Sequence, residues 1–224
     1  TKAFVMLRKG DENRRAARDA FVAASKIRPD IVQTRDIVMG LDISLNDTIE
    51  AERHAKETLR KDRKSPLANY IMGAMSLQRG DFASAEAFLR RSVNNPRPLA
   101  IALNDLAEVL RRQGRIPEAE QFARQAVKAA PNMYIVYETL ASVLLEAKSK
   151  NLDEVEGHIL KAVELSSDSL NKEDLRVLMT LARVQILKGD LLRAKGTIRK
   201  IGSRKEELSD FEQKEFEELR KSAR

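Results

Sequence analysis

Residues 65–85 read Ser65-Pro66-Leu67-Ala68-Asn69-Tyr70-Ile71-Met72-Gly73-Ala74-Met75-Ser76-Leu77-Gln78-Arg79-Gly80-Asp81-Phe82-Ala83-Ser84-Ala85. Ser65 is a natural N-cap and Pro66 suits a first helical position, where no backbone N–H is needed. The apolar-periodic run that follows breaks at Gly80-Asp81. A second helix is predicted from about Phe82 to Val93, with Ala85, Phe88 and Leu89 on its inward stripe and Pro96 and Pro98 ending it. The unit is therefore helix, tight turn, helix, stop.

That unit recurs. Ala17, Ala51, Ala85 and Ala119 stand 34 residues apart (51−17, 85−51, 119−85), as do Gly80 and Gly114, and a fixed period of this length signals stacked structural repeats. Residues 100–133 restate it, with Leu103, Leu106, Ala107 and Leu110 on the first helix and Gln113-Gly114 at the turn. Ala119, Phe122, Ala123 and Ala126 follow on the second helix, and Pro131 ends it. Residues 32–65 carry Val38-Met39, then Asn46-Asp47 at the turn, then Ala51 and Ala55. Before them, 1–31 reads as a partial repeat holding Gly10-Asp11, Ala17, Phe21, Ala24 and Pro29. The chain opens inside a repeat, so Thr1 is expected to be a fragment boundary.

The period continues forward with one irregularity. Residues 134–167 hold Tyr137, Leu140-Ala141, Leu144, Val155, Ile159, Ala162 and Leu165, but the turn Lys148-Ser149-Lys150-Asn151 is about two residues longer. Residues 168–174 read as an irregular polar connection. The last repeat, 175–204, carries Leu178, Leu181-Ala182, Gly189-Asp190, Ala194, Ile198 and Ile201. Ser209-Asp210-Phe211-Glu212 is a capping-box sequence opening a helix within 205–224, with Leu208, Phe211, Phe216 and Leu219 predicted on one side. Its polar remainder suits a solubilising end cap.

Composition narrows the function classes. The 224 residues are 42% hydrophobic, enough for a sizeable core, and contain no Cys. Disulfide scaffolds, thiolate metal sites and thiol catalysis are thereby excluded. No run approaches the ~20 apolar residues of a spanning helix, so no membrane insertion is expected in this segment. Cytoplasm and periplasm are both compatible with a cysteine-free chain. The formal charge of +7 is spread thinly, at 15 Lys/Arg against 11 Asp/Glu over 1–65, 9 against 6 over 66–133, and 17 against 17 over 134–224. Such mixing lacks the dense basic stripe that phosphate backbones select, and argues against nucleic acid.

The repeating residues resemble the tetratricopeptide repeat family. Leu106-Ala107, Gly114, Ala119, Ala126 and Pro131 match its 34-residue series, as do Met72-Gly73, Gly80-Asp81-Phe82 and Ala85. The family's tryptophan is absent, its position being held by Arg35, Asn69, Leu103, Tyr137 and Leu178, which marks a divergent member. The resemblance implies an all-α, right-handed solenoid of helix-turn-helix repeats with a C-terminal capping helix, in a single solenoid spanning 1–224. It also implies that first helices line a concave groove. Projected onto this sequence, the groove holds Leu67, Tyr70, Ile71, Ala74 and Leu77, then Ile101, Asn104, Asp105 and Glu108, then Glu138 and Ser142, and finally Arg183. An apolar floor beside mixed charges suits a protein or peptide segment.

One family subtype clamps chaperone C-terminal carboxylates with a set of Lys, Asn and Arg residues. The matching positions here hold Tyr70, Ala74, Asp105, Ile135 and Thr139, so no chaperone-tail clamp is expected. His54 and His158 read as helix-surface or half-buried residues rather than metal ligands, and no phosphate-binding glycine loop is present. The sequence thus points to a non-catalytic protein-interaction scaffold with no catalytic residue, cofactor or metal. Its alternative is a self-associating component of a larger assembly, including one in a bacterial envelope.

Overall fold

The computed structural model describes residues 10–28, 31–170 and 174–223. Among them lie twelve α-helices and no strand: α1 (Gly10–Ile27), α2 (Val32–Ser44), α3 (Thr48–Lys61), α4 (Pro66–Gln78), α5 (Phe82–Val93), α6 (Ala100–Arg112), α7 (Ile116–Ala129), α8 (Tyr134–Glu146), α9 (Leu152–Leu170), α10 (Leu175–Leu187), α11 (Leu191–Gly202) and α12 (Asp210–Ser222). Contacts group the helices into two compact units, one ending at Val109 and the other beginning at Leu110, within α6.

Each full repeat turns through one left-handed residue. Asn46, Gly80, Gly114, Lys148 and Gly189 have φ of 54°, 76°, 75°, 53° and 75°. The next residue's N–H then reaches back five positions to the first helix: Asp47 to Asp42 O, Asp81 to Ser76 O, Arg115 to Leu110 O and Asp190 to Gln185 O at 2.9 Å, and Ser149 to Leu144 O at 3.1 Å. This is the Schellman closure, which satisfies a carbonyl the helix end leaves open. The same aspartates cap the second helix, accepting the N–H of Glu50 (3.2 Å), Ser84 (3.1 Å) and Arg193 (3.1 Å).

The two extra residues of the fourth turn fall between these roles. Lys148 keeps the left-handed position, and Asn151 caps α9 by accepting the Glu154 N–H at 3.2 Å. One expectation fails just beyond it: α9 runs on to Leu170, where an irregular connection was expected from residue 168. No Pro or Gly interrupts 158–170, so nothing in the backbone stops the helix. Pro29 lies outside the described residues.

In the first unit, α2, α3 and α4 share a core of Met39, Ala51, Ala55, Ala68, Ile71 and Met72, with Leu59, Met75 and Phe88 packed around it. In the second, α10, α11 and α12 enclose Leu175, Leu178, Ile198, Ile201, Leu208, Phe216 and Leu219. The C-terminal helix therefore caps the last repeat, and its Ser209–Glu212 capping box is formed. Phe211 departs from the expectation. It lies five residues from Phe216, about 140° around the helix, and is 74% exposed.

Small residues set the helix spacing. A Cβ built on Gly73 would lie 2.6 Å from Leu89 Cγ and 3.3 Å from the Leu89 backbone N, and Leu89 is fully buried. Gly40 and Gly157, also within helices, have nothing within 4 Å. The same substitution should therefore act with opposite signs. Gly73→Ala adds crowding of ~1–3 kcal/mol, exceeding the ~1 kcal/mol of helix propensity it gains. Gly40→Ala and Gly157→Ala keep that gain. Thermal melts by circular dichroism should show a lowered midpoint for the first and raised midpoints for the other two. Lys148→Gly should also raise the midpoint, by ~1 kcal/mol of relieved left-handed strain.

Candidate functional site

The residues predicted to line a groove in the first unit sit on α4 and, from Ile101 to Glu108, on α6. Leu67, Tyr70, Ala74 and Leu77 are half-buried, leaving a partly accessible apolar strip. Ile71 is different: at 2% exposure it belongs to the core, so it cannot line an open surface. Its side chain points between α3 and α4 because it falls on the stripe shared with Ala68 and Met72. On α6, Ile101, Asp105 and Glu108 are half-buried. Asn104 is buried and donates from Nδ2 to Asp105 Oδ1 at 3.3 Å.

Burial pushes the Asp105 carboxyl up to about 6; the Asn104 hydrogen bond opposes this and the negative charge of Glu108 adds to it. Burial, with the Asp105 charge adding, raises the Tyr70 phenol to about 12. Tyr70 therefore remains a hydrogen-bond donor beside an acid that is costly to ionise.

In the second unit, a cavity of about 810 Å³ is lined by the last turn of α6, by α8, by α10 and by α12. The predicted residues Glu138, Ser142 and Arg183 all line it. Glu138 is buried, and its Oε1 accepts from Ser142 Oγ at 3.0 Å and from Thr180 Oγ1 at 3.4 Å; Arg176 Nη2 lies 3.6 Å from its other oxygen. Arg111 pairs with Glu146, and Arg183 with Glu215 on α12. The cavity is thus walled by neutralised charge, with buried Met179 and Thr180 at its base and exposed Phe211 on its edge. The contribution of α12, through Phe211 and Glu215, was not foreseen; the polar character of that helix concealed it.

The polar chemistry elsewhere is structural. His54 is largely buried, with Nδ1 2.7 Å from Asp42 Oδ2 and Nε2 2.6 Å from Arg53 Nη2. His158 lies with its ring centroid 6.0 Å from that of Tyr137, and burial lowers its pKa. Among the described residues no cluster of His, Asp or Glu could hold a metal ion, and no helix is long and apolar enough to cross a membrane.

Two tetratricopeptide repeat models match the chain, over residues 43–98 and 99–130. Solved structures agree in fold. PilW, described as a widely conserved type IV pilus biogenesis factor, superposes with a TM-score of 0.65 at 16% identity, covering 97% of this chain and 94% of its own. YrrB, described as a TPR protein with an unusual peptide-binding site, gives 0.59 at 16% identity, covering 81% and 90%. MamA from residue 41 to its end, from Desulfovibrio magneticus RS-1, gives 0.58 at 18% identity, covering 80% and 97%. The chain is a tetratricopeptide repeat protein. At these identities the likeness to the solved structures carries the fold alone. No curated protein matches the chain in sequence.

This tetratricopeptide repeat protein carries a built-in pH response at Asp105. Its folded pKa of about 6 exceeds the ordinary ~3.9. The folded state therefore binds the proton more tightly, and stability falls as pH rises from about 4 through about 6. Asp105→Asn should raise the melting midpoint at pH 7.5, by on the order of 1–2 kcal/mol at this half-buried position. The advantage should shrink towards zero at pH 4, as read by melts of both proteins across that range.

Proposed function

We propose that the chain is a non-catalytic interaction module that seats an extended segment of a protein partner in the second unit's cavity. The observation that carries this reading is the cavity itself: about 810 Å³, edged by exposed Phe211, with Arg111–Glu146 and Arg183–Glu215 pairs in its walls. Paired side chains keep the walls soluble when the site is open. On binding they can exchange partners with a peptide's charged groups and fix its register, while Phe211 supplies apolar contact area. The half-buried strip Leu67, Tyr70, Ala74 and Leu77 of the first unit is a second candidate contact surface. A repeat fold of this kind is typically a scaffold, and the hydroxyl–carboxylate contacts in the cavity, Ser142 on Glu138 and Ser209 on Glu212, serve a buried acid and a helix cap.

The rival reading is self-association, in which one chain's cavity receives another's C-terminal helix. Phe216 and Leu219 of α12 are already buried against α10 and α11, so Phe211 is the one large apolar side chain that this helix has left to donate. Light scattering over a concentration series should accordingly give a monomer mass.

Phe211→Ala removes exposed surface without touching the core. Capture from the source organism's lysate, compared between wild type and this variant, should yield a protein bound about 5–150-fold more weakly by the variant, the range of a ~1–3 kcal/mol interfacial aromatic. The variant's melting midpoint should be unchanged. Identical capture by both would refute the cavity assignment.

A further inference from the structure

The first unit contains a second cavity, of about 220 Å³, between α1, α2 and α3. Its lining includes Arg35, which holds the position where the family has tryptophan and where Leu103 and Leu178 are buried in other repeats. A guanidinium there is costly unless something receives its hydrogens. The next repeat meets the same problem with Asn69, whose Nδ2 donates to Arg63 O (2.9 Å) and Ser65 O (2.8 Å) and whose Oδ1 accepts from Arg91 Nε (3.0 Å). Arg35 has no such solution: its Nε and Nη1 are buried and without a hydrogen-bond partner. Asp36, adjacent in the chain, leaves its own buried Oδ1 unpartnered rather than bonding Arg35.

The lining adds charge of the same sign. Lys26 enters from α1 and Lys61 from α3, both exposed at the mouth, against the single acid Glu57, which is 3.2 Å from Lys61. The formal sum is +2, from Lys26, Arg35 and Lys61 less Glu57. His54 adds no free donor, since its ring is engaged by Asp42 and Arg53. Thr58 contributes a buried hydroxyl, while the Ser25 hydroxyl is committed to Val22 O at 2.8 Å. Val22 and Val38 complete the wall with apolar surface.

We propose that this cavity is a binding site for a phosphate monoester. The phosphoryl oxygens accept from the unpartnered Nε and Nη1 of Arg35, from Lys26 and Lys61, and from Thr58; the ester carbons lie against Val22 and Val38. A phosphate monoester carries about −1.5 to −2 at neutral pH, matching the lining charge, whereas a carboxylate would leave half of it uncompensated. Arginine's fixed fork suits the oxyanion, and the pairing gives acceptors to the Nε and Nη1 hydrogens that Asp36, near enough to act on Arg35 by charge, leaves without one. This site belongs to the first unit and is independent of the cavity assigned to the protein partner.

The test is calorimetric melting of the full chain in glycerol 2-phosphate, inorganic phosphate, acetate or chloride at equal ionic strength, for wild type and Arg35→Met. At glycerol 2-phosphate tenfold above its Kd, the wild-type midpoint should rise by about 3–5 °C. Arg35→Met should melt at or above the ligand-free wild type and lose that rise. An equal rise in Arg35→Met, or none in wild type, overturns the site, and an equal rise in acetate overturns the phosphate assignment. If Arg35→Met does not fold, Lys26→Gln with Lys61→Gln serves in its place. A loss of affinity of tenfold or more supports the site, and unchanged affinity overturns it.

Discussion

One backbone closure governs the rest of the molecule: a left-handed residue ends each first helix, and the following N–H returns five positions to a carbonyl of that helix. This closure fixes where the second helix begins and which of its faces meets the first. Gly73 and Leu89 can then approach to near contact, and Ala51, Ala85, Ala119 and Ala194 fall at the helix crossings with essentially no exposed surface. Because each helix pair hides its apolar stripe only against its neighbours, an error in one turn would misplace the packing on both sides of it.

The buried column nearest the turn shows how much polar content the packing accepts. Its first-helix position holds Asp42, Ser76, Leu110, Leu144 and Gln185 in successive repeats, all buried. Where a strong hydrogen-bonding group occurs, a partner stands twelve residues on: His54 for Asp42 at 2.7 Å, and Thr197 for Gln185 at 2.8 Å. Paired substitutions of this kind preserve the fold while replacing dispersion contacts with directional ones. Arg35, in another column of the first helix, is the contrast: it is polar and partly buried, and its Nε and Nη1 have no hydrogen-bond partner.

The repeats were legible in the sequence because turn residues and small residues obey strict steric rules. Gly80, Gly114 and Gly189 advertise positive φ, the aspartates after two of them advertise caps, and the 34-residue interval needs no tertiary knowledge. Lys148 carries no such signal, and its left-handed geometry follows only from its place in the register. The site was harder to read. Periodicity assigns a residue to a helix face but not to its depth, so Ile71 was placed on the groove although it is core, and Phe211 was grouped with Phe216 although they point about 140° apart. Glu138, Ser142 and Arg183 line one cavity, but the wall that α12 adds to it depends on how the last helix docks. Asp42 was missed; a charged residue in a repeat column that otherwise holds only uncharged ones, Ser76, Leu110, Leu144 and Gln185, was the signal that could have found it.

The central claim is that the chain works by holding a partner segment against α8, α10 and α12. Hydrogen–deuterium exchange on the chain with and without its captured partner addresses this directly. The account predicts slowed exchange in the first-turn amides of α12 and along α8 and α10, with α7, α9 and α11 unchanged. Protection confined to those second helices, or absent from α12, would contradict it.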